Sequence, residues 1–138
     1  MPGYSGTPLP RKLGIKAGFR VRLVNAPTGV RAELGDALAE CEVLKQGDAL
    51  DLAMMFTDSR RELTKEFLRI SKVLAPAGML WVCWPKKSSG VATDLNGDAV
   101  RAVGLDAGLV DVKVCAVTEV WSGLKFVRRV KDRKAVHA

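Results

Sequence analysis

Between Leu50 and Trp84 the chain carries two short, almost wholly apolar runs, LDLAMMFT (50–57) and MLWVCW (79–84), on either side of an amphipathic stretch. Runs this short with no polar face read as strands buried on both sides, the habit of a parallel sheet covered by helices. Between them Ser59 and Glu62 form the capping-box pattern S-R-R-E. Leu63, Phe67, Ile70 and Leu74 then recur at i, i+4, i+7 and i+11, one apolar stripe for the core. Pro76 and Gly78 read as the end of that helix. The result is a strand-helix-strand unit with a right-handed crossover.

The flanks repeat the alternation. RVRLVNAP from Arg20 reads as a strand running into a loop. Thr28 is the expected N-cap of a helix through Leu38, with Val30, Leu34 and Leu38 on one face. CEVLK (41–45) is a short strand. Thr93 or Asp94 is expected to cap a further helix bearing Leu95, Val100, Val103 and Leu105, which Gly108 ends. LVDVKVCAVTEVW (109–121) alternates at period two, with Val110, Val112, Val114 and Ala116 opposed to Asp111, Lys113 and Cys115. Ser122-Gly123 then reads as a two-residue turn into LKFVRRV. The expected class is α/β: a Rossmann-like three-layer sandwich whose mostly parallel sheet ends in an antiparallel β-hairpin. The expected organisation is an N-terminal arm over 1–19, one domain over 20–130 and a basic tail over 131–138.

At 138 residues the chain is long enough for one domain with a real core. Cys41, Cys83 and Cys115 are far apart and lie in apolar runs, the usage of small buried hydrophobes and neither a disulfide framework nor a metal set. His137, the single histidine, lies one residue from the terminus, which argues against a histidine-centred triad or metal site. No apolar run reaches the length of a membrane span, and the first residues lack a signal peptide's apolar core, so a cytoplasmic protein is expected. The net charge of +7 is concentrated at the ends. Residues 1–22 and 128–138 hold ten basic residues and one acid, against 12 basic and 14 acidic residues between them. Solvated tails account for this; nucleic-acid or other polyanion binding through them is the sharper reading.

Open parallel sheets bind ligands at the carboxyl ends of their strands. Two loops leave those ends: NAPTGV after the first strand and WPKKSSGVATDL after the fourth. The candidate ligand contacts are therefore Asn25, Thr28 and Gly29 in one loop, and Trp84, Lys86, Lys87, Ser88, Ser89 and Gly90 in the other. Lysines, hydroxyls and flexible backbone N–H groups ahead of a helix suit an anion, although the spacing is not that of a P-loop. Asp94 at that helix start would compete with a bound phosphate. Asp58 and Ser59 also lie at a carboxyl end, with Ser59 committed to its capping box. Trp84 offers a face for a planar ligand, against the plainer alternative of core packing. No residue is assigned to bond making, and no cofactor or metal is assigned.

Three segments, FRVRLVNAP, LDLAMMF and VLAPAGMLWVCWPK, resemble the class I methyltransferase fold in truncated form. That resemblance implies a glycine-rich turn after the first strand and an acid at the end of the second. Here Gly29 stands alone in the turn, and the second strand ends in Leu44-Lys45 with no acid before Asp48. Over nearly the whole chain, GYSGTPLPRKLGIKAG, WPKKSSGVATDL, GLVDVKVCAV and WSGLKFVRR resemble a family of small bacterial proteins of unknown function, which implies a fold and no activity. Three functions stay open. The first is a non-catalytic module for an anionic small molecule or nucleotide at the carboxyl edge. The second is an atypical methyltransferase dependent on S-adenosylmethionine. The third is a protein-interaction or nucleic-acid-binding protein acting through basic termini.

Overall fold

The computed structural model describes residues 7–137. Six strands form one sheet in the order β2-β1-β3-β4-β6-β5. β1 (Arg20–Val24), β2 (Glu42–Val43), β3 (Leu50–Phe56) and β4 (Leu74–Pro85) run parallel, while β6 (Trp121–Val127) pairs antiparallel with both β4 and β5 (Val110–Ala116). Among the described residues four α-helices accompany them: α1 (Leu9–Leu13), α2 (Thr28–Leu38), α3 (Arg60–Ser71) and α4 (Gly97–Asp106). The expected sandwich is present, with α1 and α2 on one face and α3 and α4 on the other.

β3 and β4 form the centre because neither has a polar face. Leu52, Met54, Trp81 and Cys83 pack towards α1 and α2, and Ala53, Met55, Leu80 and Val82 towards α3 and α4. On α3, Leu63, Phe67 and Ile70 are buried as the stripe requires. Leu74, the last member of the expected stripe, belongs instead to β4. The helix stops at Ser71, so Pro76 and Gly78 do not end it. They sit in a bulge within β4, where the register jumps from Leu50↔Leu74 to Leu52↔Met79. A bulge is where a sheet tolerates proline, because its missing N–H leaves no ladder bond unmade.

Helix α1 lies within the segment read as an arm. Leu9 and Leu13 are buried against the sheet, and the Trp81 indole N–H donates to the Leu13 carbonyl at 2.9 Å. Two local expectations are corrected. The β5–β6 hairpin turns at residues 117–120, where the Thr118 hydroxyl accepts from the N–H groups of Val120 and Trp121. Ser122 and Gly123 lie inside β6. The alternation of β5 is also interrupted, by a bulge between Asp111 and Lys113. Val112 and Val114, read as one apolar face, are consequently exposed, and Cys115 is buried.

Candidate functional site

In an open sheet, a ligand crevice forms where neighbouring strands send their connections to opposite faces. The order β2-β1-β3 puts that point between β1 and β3. α2 follows β1 on one face and α3 follows β3 on the other. The crevice is bounded by Asn25 to Gly29 on one side and Thr57 to Ser59 on the other.

The helix ends at this edge differ in how their N–H groups are satisfied. At α3, the Ser59 hydroxyl accepts from Glu62 N–H at 3.2 Å, and Asp94 Oδ1 accepts from Arg60 N–H at 2.8 Å. Only half of the expected capping box forms, because Ser59 N–H donates to the Thr57 hydroxyl. At α4 the cap is Asn96, whose Oδ1 accepts from Ala99 N–H at 2.8 Å, with Asp98 in the first turn. Thr93 and Asp94, expected there, reach back to the β3–α3 junction, where Thr93 donates to the Asp58 carbonyl at 2.6 Å. Asp94→Ala should accordingly cost about 1 kcal/mol through loss of an N-terminal partner of α3, read as a lowered midpoint in a urea melt.

α2 is the exception. Thr28 is its first residue, not its cap, and Pro27 in the cap position has no side-chain acceptor. The first backbone bond runs from Arg31 N–H to the Pro27 carbonyl at 3.0 Å. The N–H groups of Thr28, Gly29 and Val30 therefore project from the helix end, which has no acid in its first turn. Asn25, just upstream, adopts a left-handed backbone with φ 58°, a conformation asparagine tolerates better than most residues. Thr28 and Gly29 are exposed, and a Cβ added at Gly29 would meet nothing within 4 Å.

Asn25 also lines a groove of about 690 Å³ beside α3, with Arg22, Lys45, Glu62 and Arg69 among its walls. This groove was not legible as a site, and its cause is a short connection. Only residues 44–49 join β2 to β3, too few for a covering helix, so the α3 face of β1 stays open. Arg22 pins that connection by donating to the Leu44 carbonyl at 3.3 Å and the Gly47 carbonyl at 2.9 Å. Arg69 pairs with Glu66 at 3.0 Å.

The second loop stands apart. β3 lies between the ends of β1 and β4, and the groove at Asn25 holds none of residues 84–90. Trp84 is 8% exposed and packs in the core on the α4 side. Lys87 to Ser89 form a 3₁₀ turn closed by Gly90 at φ 77°. The Ser89 hydroxyl is used within the turn, donating to the Lys86 carbonyl at 2.6 Å and accepting from Val91 N–H. Lys87 and Ser88 are exposed and Lys86 is half-buried. Gly29 also lines a second groove of about 400 Å³, shared with Thr118 to Trp121. Lys86 N–H donates to the Val120 carbonyl behind that groove at 2.7 Å. Among the described residues no cluster of histidine, cysteine or carboxylate side chains could hold a metal, and no helix is long and apolar enough to cross a membrane.

Neither a protein-family model nor a curated protein matches the chain. Solved structures do. Magnesium protoporphyrin IX methyltransferase from Synechocystis PCC 6803 with bound SAH is 10% identical with a TM-score of 0.57, over 82% of this chain and 75% of that one. A SAM dependent methyltransferase from Aquifex aeolicus is 19% identical with a TM-score of 0.55, over 84% and 85%. Aeropyrum pernix fibrillarin in complex with natively bound S-adenosyl-L-methionine is 12% identical with a TM-score of 0.56, over 91% and 70%. The protein has the Rossmann-like fold of methyltransferases.

Proposed function

We propose that the protein binds S-adenosylmethionine or S-adenosylhomocysteine in the crevice between β1 and β3, as an atypical methyltransferase. The open N-terminus of α2 carries this reading, because it is the helix end left for a ligand carboxylate at the switch point of a methyltransferase fold. The fit to the cofactor is partial. The carboxylate end suits the N–H groups of Thr28, Gly29 and Val30. At the ribose end β2 finishes in Leu44 and Lys45 with no acid. Two carboxylates line the groove with Asn25; Glu66 is paired with Arg69, so this reading assigns the ribose hydroxyls to Glu62. When bound, the cofactor supplies an electrophilic methyl group. The chain's contribution is to hold and orient it.

One observation favours the non-catalytic alternative. The groove walls carry Arg22, Lys45, Arg69 and Lys72 against Glu62 and Glu66, a basic excess that suits a nucleotide or other anionic small molecule better than a cationic cofactor.

Gly29→Asp separates these outcomes from simple unfolding. A carboxylate in the first turn of α2 complements the helix dipole, and replacing glycine adds helix propensity, so stability should rise by about 0.5–1 kcal/mol. The same carboxylate repels a ligand carboxylate, so affinity for S-adenosylhomocysteine should fall at least tenfold by calorimetry. Unchanged affinity would remove α2 from the site. Binding of nucleotides without binding of S-adenosylhomocysteine would select the non-catalytic module.

A further inference from the structure

On the α1 face of the sheet, remote from the groove beside α3, lysines from different elements crowd together. Lys113 of β5 stands opposite Lys125 of β6 in the antiparallel register. Like charges in that relation repel and weaken a strand pair. The Lys125 ammonium lies 5.9 Å from the centre of the buried Trp81 ring. Lys113 Nζ donates to the Lys12 carbonyl at 3.4 Å, which brings α1 to the same place. The Cys115 thiol, two residues along β5, lies within the fields of Lys12, Lys113 and Lys86, although burial still raises its pKa overall. Lys125 is pushed the other way, its pKa lowered first by burial and then by Lys113.

The four ion pairs among the described residues all involve arginine, and none involves Lys86, Lys113 or Lys125.

We infer that this face, centred on Lys113 and Lys125 with Lys12 and Lys86 beside them, binds the phosphodiester backbone of nucleic acid. A bound anion relieves a repulsion that the free protein carries, so part of the binding energy is stored in the strand pair. Two features select the occupant. Protein interfaces are depleted in lysine, whereas backbone phosphates are neutralised by lysine and arginine with release of counterions. Lys86, Lys113 and Lys125 belong to the end of β4, to β5 and to β6, which suits a chain of phosphates better than a single one.

Lys113→Glu gives the sharpest test, because it turns a repulsive cross-strand pair into an attractive one. The variant should melt at or above the wild-type temperature while its affinity for a labelled 20-nucleotide single strand, read by fluorescence anisotropy, falls at least tenfold. A Lys113→Gln, Lys125→Gln double variant should lower the dependence of log K on log salt by roughly 1.4. A charge-matched control on α3, Arg61→Gln with Lys65→Gln, should change affinity less than twofold. Three results would overturn the proposal: Lys113→Glu binding like wild type, the α3 control losing as much as the double variant, or wild type binding phosphatidylserine vesicles or inorganic phosphate in preference to the oligonucleotide.

Discussion

Gly104→Ala is expected to destabilise the protein by about 3 kcal/mol, against the direction that helix propensity alone dictates. Gly104 lies inside α4, where alanine would ordinarily gain about 1 kcal/mol. A Cβ there would stand 2.0 Å from Phe126 Cε1 and 2.5 Å from its Cδ1. The ring has no room to retreat. Phe126 is fully buried and packs edge-on against Phe67, with centroids 5.1 Å apart and planes at 89°. Relief would require α4 to lift from β6, exposing Val100 and Val103. Urea denaturation is the appropriate measurement, with a lower midpoint expected at an unchanged slope. A variant more stable than wild type would mean that Phe126 finds another rotamer. Because α4 also anchors the loop from Lys86 to Leu95, the variant should disturb the carboxyl edge near β4 more than the α2 end.

Arg128→Met is expected to cost about 2–4 kcal/mol, with Arg128→Lys recovering less than half of it. The Arg128 guanidinium donates to the carbonyls of Ser71, Leu74 and Ala75, the last at 2.8 Å. These oxygens lie where α3 ends and β4 begins its bulge. A guanidinium spans several carbonyls with one rigid fork, and its charge also complements the negative end of α3. Lysine has a single nitrogen and cannot cover the set. Burial lowers the guanidinium pKa, showing that the charge is partly withdrawn from water. Removing the side chain should therefore expose the α3–β4 junction first, seen as faster amide exchange across residues 71–75 than in β3. Equal acceleration everywhere would assign the loss to global destabilisation without a local hinge.

The parts of the fold legible in the sequence were those with one dominant signal. β3 is apolar but for Asp51 and appears close to its expected bounds, while α3 begins where its cap predicts and stops at Ser71, short of the expected Leu74. The misses occur where one residue type serves two purposes. Gly123 resembles a turn glycine, yet it is needed in β6 because a Cβ would come within 2.9 Å of Val117 and 3.2 Å of Trp81. Pro76 resembles a helix stop but occupies a bulge. Thr93 and Asp94 have the right chemistry for a cap and serve a neighbouring helix 34 or more residues earlier, which no local pattern encodes. The candidate site divides similarly. Asn25, Thr28 and Gly29 lie at a legible strand end. Their separation from Trp84 to Gly90 depends on β3 standing between, a matter of strand order. Lys113 and Lys125 were each visible, but their opposition depends on a bulge that shifts the register.

The bond from Trp81 to Leu13 has a consequence for the order of assembly. Its partners are 68 residues apart, so α1 cannot take its seat until β4 has left the ribosome and paired with β3. The unit β3-α3-β4 depends on nearer contacts and is suited to form first, as local pairings close cheaper loops than distant ones. During synthesis the apolar Leu9 and Leu13 therefore wait in solvent while the 68 residues from Leu13 to Trp81 are made. α1, made before β3 and β4, docks after them, and until it does the buried indole of Trp81 lacks its acceptor.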